Sequence, residues 1–499
     1  MENFELTKSQ AAALDEMEGG GNFFLTGEAG TGKSFLIRRY IEKMKEARKN
    51  IVCCASSGVA AQIVGGKTCH SLFHIPFNNP PSIDSLKKYK KIPVPELVDA
   101  ADIIVIDEIS MLRFDAFEYC MAVVKHSEKR KRKDKTVVLV GDFYQIPPVI
   151  QKNRPSRHAD TSTEKAISDE KSIAALWNLR PDSEGRYPFG SGFAFFAPAW
   201  KERNFKTITL KEKLRQTDED FSLALDKIRE GDADGSGIAF INENCAKKEF
   251  EDTVWLFSRN EQVEQTNEEK LNKLKGKAFR FDAEEWFEDG ERREDHCTKD
   301  GGYKACLALQ SVTLKEGARV MALVNCDDED GTYSNGSLGT ITKINEEDVE
   351  VRFDDGEKAI VKPYTWDIKS PMVVRKSSAR AAFERAQAGL KIEYKTLCRI
   401  TQIPLKLAYA VTMHKAQGQT FEKLNLSPSA FADGMLYVAL SRAKTVKNIY
   451  LTRKIFPKDV FFDSDVKKFY EGSFVSSLWS DWQSANSDQH VLFDDFESF

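Results

Sequence analysis

No stretch of the 499-residue chain approaches the ~18 consecutive apolar residues that cross a bilayer, so no transmembrane helix is expected. Met1-Glu2-Asn3-Phe4-Glu5 lacks the basic segment and apolar run of a secretory leader. No two cysteines stand at Cys-x-x-Cys spacing, and nine dispersed thiols, an odd number, argue against a disulfide framework or a zinc knuckle. A reducing, intracellular compartment follows from that. No internal repeat is visible. The chain also has no excess of positive charge: 73 Lys and Arg against 77 Asp and Glu leave −4. Residues 473–499 carry five acids and no Lys or Arg, and the balance is +1 without them. Whole-chain charge therefore neither favours nor excludes a nucleic-acid partner.

What is present suits a soluble globular chain. At 56.5 kDa, with 41% hydrophobic and 30% charged residues, it has material for two to four domains. The first 150 residues alternate short apolar runs with helical patterns. Asn22–Thr26, Ile51–Ala55, Ile103–Ile106 and Val137–Val140 read as strands buried on both faces, as in a parallel sheet covered by helices. Ile75–Pro95, rich in Pro, Asn and Lys, reads as an excursion, and residues 151–200 as an insertion or long loop. A second α/β pattern opens near Thr207 and closes between Leu407 and Thr452. From Ala318 to Val361 the period becomes two, with turns at Ser334-Asn335-Gly336 and Asp354-Asp355-Gly356, which predicts a small β-barrel-like module.

Gly27-Glu28-Ala29-Gly30-Thr31-Gly32-Lys33-Ser34 fits G-x-x-x-x-G-K-[ST] between a predicted strand and a predicted helix. Such glycines turn backbone N–H groups toward phosphate oxygens, and the helix N-terminus adds its positive end. Lys33 is positioned to neutralise the β- and γ-phosphates, and Ser34 to ligate Mg²⁺. Asp107 and Glu108 end an apolar strand at the sheet edge where ligands bind. Asp107 suits Mg²⁺, and Glu108 an attacking water. Gln145, in Gly141-Asp142-Phe143-Tyr144-Gln145 after the next strand, is placed to sense a γ-phosphate.

Further motifs narrow the class. Leu210–Gln216 holds Arg215, Tyr409–Thr420 contains Thr412-Met413-His414-Lys415-Ala416-Gln417-Gly418, and Tyr437–Ala443 holds Arg442. With the phosphate motifs, this ordered set over residues 5–455 resembles the superfamily 1B 5′-to-3′ DNA helicases named for petite integration frequency, and more distantly the recombination-type and phage helicases. The resemblance implies an α/β fold of two RecA-like P-loop motor domains, a small wedge insertion and an SH3-like β-barrel insertion. Its boundaries would be 1–205 (wedge 75–96), 206–330 with 401–472, and 331–400, followed by an acidic, disordered tail at 473–499. It implies ATP and Mg²⁺ as cofactors, Arg215 and Arg442 as arginine fingers, and Gln10, 17 residues before Gly27, as the adenine reader.

The same resemblance assigns DNA contacts to Ser57, Gly58, Lys67, His70, Phe73, Arg259, Asn260, Thr412, His414, Lys415 and Gln417. Ser57 replaces the family's usual Thr, and Arg259 departs from its usual Thr-Asn pair. The family's signature helix, with an Ala-Arg pair and a Phe-Gly-Gly turn, has no counterpart between Met111 and Val137, where a basic run, Lys129–Lys133, stands instead. That run reads as a solvated face or a contact for duplex DNA. The partners implied are single-stranded DNA and forked or partial-duplex DNA, engaged by a monomer with no membrane. Gln489-His490-Val491-Leu492-Phe493 resembles the peptide by which bacterial replication proteins dock on the sliding clamp. The expected location is cytoplasmic, with the nucleoid if bacterial. Two alternatives stay open: a helicase subunit that works only within a recombination complex, and a P-loop ATPase that remodels protein without moving on DNA.

Overall fold

The computed structural model describes residues 6–57, 60, 61, 64–75, 93–150, 170–177, 179–181, 187, 189–216, 218–251, 253–287, 306–326, 332–374 and 391–473. Two compact units divide the chain: residues 1–212, 372–393 and 463–499 form unit 1, and residues 213–371 and 394–462 form unit 2.

Unit 1 is built on a parallel six-stranded sheet. Its strands are β1 (Phe23–Gly27), β2 (Ile51–Ala55), β3 (Lys67–Thr68), β4 (Ile103–Asp107), β5 (Thr136–Val140) and β6 (Lys206–Leu210), in the order β3-β2-β4-β5-β1-β6. Every residue of β1, β2 and β4 is buried, as a sheet covered on both faces requires. The two-residue period sorts their side chains. Phe23, Leu25, Ile103 and Val105 enter one core with helices Lys8–Glu18 and Lys33–Glu46. Phe24, Ile104 and Ile106 enter the other, against helix Phe114–Lys131.

Three expectations change here. Lys206–Leu210 does not open the second half: it pairs in parallel with β1 over five residues. Its alternation, with only Ile208 and Leu210 buried, is what a half-covered edge strand needs. Part of 151–200 is core rather than loop, because Phe193, Phe195 and Trp200 surround Phe143. Residues 463–472 belong to unit 1, where helix Ser464–Tyr470 packs Phe469 against Phe195 with ring centroids 4.5 Å apart.

The basic run ends helix Phe114–Lys131 through Arg132 in the left-handed region. Much of its charge is spent locally. Arg130 and Lys131 pair with Asp99, Lys133 pairs with Asp102, and Lys135 donates to the Asp99 and Ala101 carbonyls. The run thus fastens helix Glu96–Ala100.

Unit 2 carries a parallel four-stranded sheet of β7 (Val254–Phe257), β13 (Ala410–Thr412), β14 (Leu424–Leu426) and β15 (Ile449–Leu451), in the order β13-β7-β14-β15. It also carries an antiparallel five-stranded sheet of β8 (Arg319–Ala322), β9 (Leu338–Ile344), β10 (Val349–Phe353), β11 (Lys358–Val361) and β12 (Leu405–Leu407). The β10–β11 turn runs through Gly356 at φ +98°, as the Asp-Gly signal predicts. β8 and β12 come from outside 331–400, so this sheet is closed by chain on both sides of the expected insertion. Most of 75–96, the expected wedge, and all of 474–499, with the clamp-like peptide, lie outside the described residues.

Candidate nucleotide and nucleic-acid sites

The phosphate motif forms the loop between β1 and helix Lys33–Glu46. Gly27, Gly30 and Gly32 have φ of +151°, +84° and +80°, backbone that only glycine enters readily. At Gly27 space is a second constraint, since a Cβ would stand 2.7 Å from the Leu210 carbonyl oxygen. Lys33 Nζ donates to the Gly27 and Glu28 carbonyls at 2.7 and 2.9 Å, which folds the ammonium over the loop. Thr31 Oγ1 braces the loop by donating to Glu28 O at 3.0 Å. Ser34 is exposed at the start of the helix.

Gln10 is buried beneath this loop. Its Oε1 accepts the Thr7 N–H in a capping box, and its Nε2 donates to the Thr31 carbonyl at 3.2 Å. An amide has two donor hydrogens and two lone pairs, so one of each remains for a ligand. The contact to Thr31 ties that amide to the phosphate loop.

Asp107 closes β4 with its carboxylate buried. Burial raises its pKa to about 6, against the lowering pull of the Glu108 N–H and of Lys33 and Arg38. Glu108 adopts φ +51°, outside the strand, and its carbonyl accepts from Ser56 Oγ at 2.9 Å. This left-handed residue turns the chain sharply at the end of β4, into the short helix Ile109–Met111. After β5, Asp142 organises a tight turn. Its carbonyl accepts the Gln145 N–H, its carboxylate accepts the Tyr144 N–H at 3.2 Å, and Gln145 Nε2 donates to the same carboxylate at 3.3 Å. Gln145 is thereby held by Asp142 at both its backbone N–H and its side-chain amide. The role of Asp142 was absent from the sequence reading, although an Asp three residues before a Gln is a turn signal.

Also in unit 1, Ser57 Oγ accepts the Ala60 N–H at 3.2 Å, and Gly58 lies outside the described residues. Lys67 on β3 is half-buried, and burial lowers its pKa. Thr68 caps the short helix Cys69–Phe73. His70 on that helix has its pKa lowered by burial and then by Arg113, with Asp115 opposing. The balance favours the neutral ring, a hydrogen-bonding rather than a charged group. Phe73 is corrected: it is fully buried in the core, where its ring cannot meet a base.

In unit 2 the residues of three separate motifs meet. Arg442 is buried and donates from Nε to Val438 O at 2.7 Å, from Nη2 to Ser441 Oγ at 2.8 Å and from Nη1 to Gln419 O at 3.3 Å. Arg215 donates to Ser441 O at 3.1 Å and to Gly418 O at 3.4 Å, and Gln216 Nε2 also donates to Ser441 O. Burial lowers the Arg215 pKa, but a guanidinium stays charged regardless. Ser441 is thus the hub that sequence reasoning missed; its only signal was its place just before Arg442.

The turn these arginines grip continues from β13. Thr412 Oγ1 accepts the Lys415 N–H at 3.3 Å, and Thr412 O accepts the Ala416 N–H. Gln417 closes the turn by donating its N–H to His414 O. Lys415 is exposed, while His414 is half-buried with a pKa lowered by burial and a ring 6.5 Å from the exposed Phe431. Arg259 and Asn260 are exposed at the start of helix Asn260–Lys273. Asn267 on that helix bonds Ala410 of β13 both ways, at 3.0 and 2.9 Å. That pair locks the helix to the strand leading into Thr412.

A family model described as PIF1-like helicase matches residues 5–178. The chain is 31% identical over 478 residues to the ATP-dependent DNA helicase Pif1 of Campylobacter jejuni, covering 90% of this chain and 94% of that one. Among solved structures it resembles unliganded Pif1 from Bacteroides sp., with a TM-score of 0.70 and 26% identity over 95% of this chain and 98% of that one. It also resembles the Bacteroides Pif1 helicase in complex with ADP-AlF3 and ssDNA, with a TM-score of 0.57 and 26% identity over 95% and 99% of the two chains.

Proposed function

The chain belongs to the PIF1-like helicase family, and from that premise we propose that it hydrolyses ATP to move 5′ to 3′ along single-stranded DNA and to open duplex DNA ahead of it. The observation that carries this reading is the bonding in unit 2. Arg215 and Arg442, the two candidate phosphate-stabilising cations, share Ser441 and hold the carbonyls of Gly418 and Gln419, at the end of the Thr412–Gln417 turn. A guanidinium that stabilises charge on a transferring phosphoryl group and is bonded to a DNA-contacting turn links hydrolysis to grip. A phosphatase or protein remodeller has no need of that link.

In this reading the Gly27–Ser34 loop cradles the phosphates, Gln10 reads the adenine edge, Glu108 polarises the attacking water and Gln145 senses the γ-phosphate. Ser34 and Asp107 supply hard oxygen donors of the kind Mg²⁺ takes alongside waters and phosphate oxygens. Bound there, Mg²⁺ would draw charge from the β- and γ-phosphate oxygens. Ser57, Lys67, His70, Arg259, Asn260, Thr412, His414, Lys415 and Gln417 contact the strand, mostly through its backbone. Binding should then be weakly sequence-selective and steeply salt-dependent. Residues 75–96 serve as the wedge, and the five-stranded sheet of unit 2 belongs to the SH3-like domain. The chain acts, in this proposal, as a monomer.

Two partial duplexes, one with a 5′ tail and one with a 3′ tail, test the proposal in the presence of ATP and Mg²⁺. Only the 5′-tailed duplex should open, and Lys33→Ala should abolish opening. Unwinding of the 3′-tailed substrate alone would reverse the polarity, and unwinding of neither while ATP turns over with single-stranded DNA would favour a subunit that works only within a complex. We further propose that Gln489–Phe493 docks on a sliding clamp. Deleting residues 486–499 should abolish clamp pull-down and spare unwinding; undiminished pull-down would sink that idea.

A further inference from the structure

Helix Ser464–Tyr470 follows every strand of unit 2 in the sequence yet packs in unit 1, and its last residue reaches two loops of the nucleotide site. The Tyr470 hydroxyl accepts the Phe143 N–H at 3.2 Å and lies 2.9 Å from Thr26 Oγ1. Thr26 immediately precedes Gly27, where the phosphate loop leaves β1, and Phe143 stands two residues before Gln145. The Tyr470 ring stacks on Tyr144 with centroids 5.1 Å apart and planes 6° from parallel. Phe469 anchors the helix beside it against Phe195, Phe143 and Trp200.

The chemistry of these groups makes one phenol a bridge. The Phe143 amide can only donate, so the Tyr470 oxygen accepts there and its own hydrogen is available to Thr26. Thr26 is fully buried in an otherwise apolar strand, where an unbonded hydroxyl is costly. Ladder pairing between β1 and β5 reaches Leu25 and Val140, with one more bond from Gly141 N to Leu25 O. Beyond that point the Asp142–Gln145 turn bends on its own Asp142 contacts. Tyr470 ties that turn to the strand entering the phosphate loop.

We propose that Tyr470 is a positioning residue for ATP hydrolysis, setting the distance and angle between the Gln145 turn and the Gly27–Ser34 loop. The inference rests on the reading of those two loops as a nucleotide site. Gln145 would sense the γ-phosphate from this buried turn, and small misplacements of reacting groups cost rate rather than binding. The stacked ring fixes the turn's orientation, and the hydroxyl fixes its separation from β1. The nucleotide's phosphates rest mainly on the glycine loop and Lys33, so affinity should be insensitive to Tyr470.

The test uses the full chain and steady-state ATPase with and without single-stranded DNA. Tyr470→Phe keeps the ring and its stack while removing the hydroxyl. The expected result is a kcat lower by about five- to tenfold and a KM for ATP within about twofold, the kcat defect persisting at assay temperatures far below a melting temperature that the unbonded Thr26 hydroxyl and Phe143 N–H lower modestly. Thr26→Val should give the same kcat defect, Thr26→Ser should restore most of it, and Tyr470→Phe with Thr26→Val should be no worse than either alone. Wild-type kcat in Tyr470→Phe would overturn the inference. So would a kcat loss that tracks a lowered melting temperature and recovers on cooling, since that marks a merely structural contact. A wild-type ATPase indifferent to DNA would instead defeat the helicase reading. The Tyr470→Phe comparison would still stand on the DNA-independent rate.

Discussion

Glu118 lies in the middle of helix Phe114–Lys131 with its carboxyl buried, accepting the Ala199 N–H at 2.7 Å at the entry to helix Pro198–Arg203. Burial raises its pKa to about 7, the Ala199 bond pulls it down, and nearby Glu202 pushes it up. The unfolded chain gives up that proton near pH ~4.5, so the folded chain binds more protons between there and about 7. The stability tied to the neutral acid is complete below the lower value and is lost as pH rises through the upper one. Glu118→Gln removes the charge and keeps an acceptor for Ala199. It should raise the melting temperature at pH 8 by a few degrees, from about 1–2 kcal/mol. The gain should shrink toward nothing near pH 5. An equal gain at both pH values in calorimetry would show that ionisation of Glu118 is not the cause.

At the scale of elements, legibility followed burial. The strands β1, β2, β4 and β5 stand out in the sequence because they are apolar on both faces, and the glycine loop stands out because its backbone admits few other residues. β6 was misassigned because Lys206-Thr207-Ile208-Thr209-Leu210 alternates like any half-covered strand, and alternation does not say which sheet an edge belongs to. The aromatic residues of 189–200 resembled loop because their partners, Phe143 and Phe469, are distant in sequence. Site residues were legible one motif at a time. The bonds between motifs were not. Asp142 under Gln145, Ser441 between Arg215 and Arg442, and Asn267 locking Ala410 are pairings that only the fold creates. Phe73 failed for the converse reason, since a motif position says nothing of which way a ring turns.

The whole molecule is two units whose chain segments interleave, with unit 1 completed by residues that come after unit 2. This ordering makes the stability of the phosphate-binding half depend on its last helix. Val466 is fully buried there, Phe469 has ring partners in Phe24, Phe143, Phe195 and Trp200, and Tyr470 closes the Thr26–Phe143 bridge. Losing one large buried aromatic side chain typically costs about 3–5 kcal/mol. Phe469 and Tyr470 are half-buried and each costs less than that, yet with Val466 their joint loss is a sizeable share of the roughly 5–15 kcal/mol by which a domain is stable. Two truncations isolate the effect, because a chain ending at Ser473 and one ending at Phe462 differ only by residues 463–473. The longer should unfold cooperatively and hydrolyse ATP. The shorter should lose the unit 1 transition in calorimetry, fail to bind ADP and expose its aromatic core to proteolysis, while the transition of unit 2 persists. Matching melting curves for the two chains would mean that the aromatic cluster closes without its final helix. The assignment of 463–472 to the core of unit 1 would then fail.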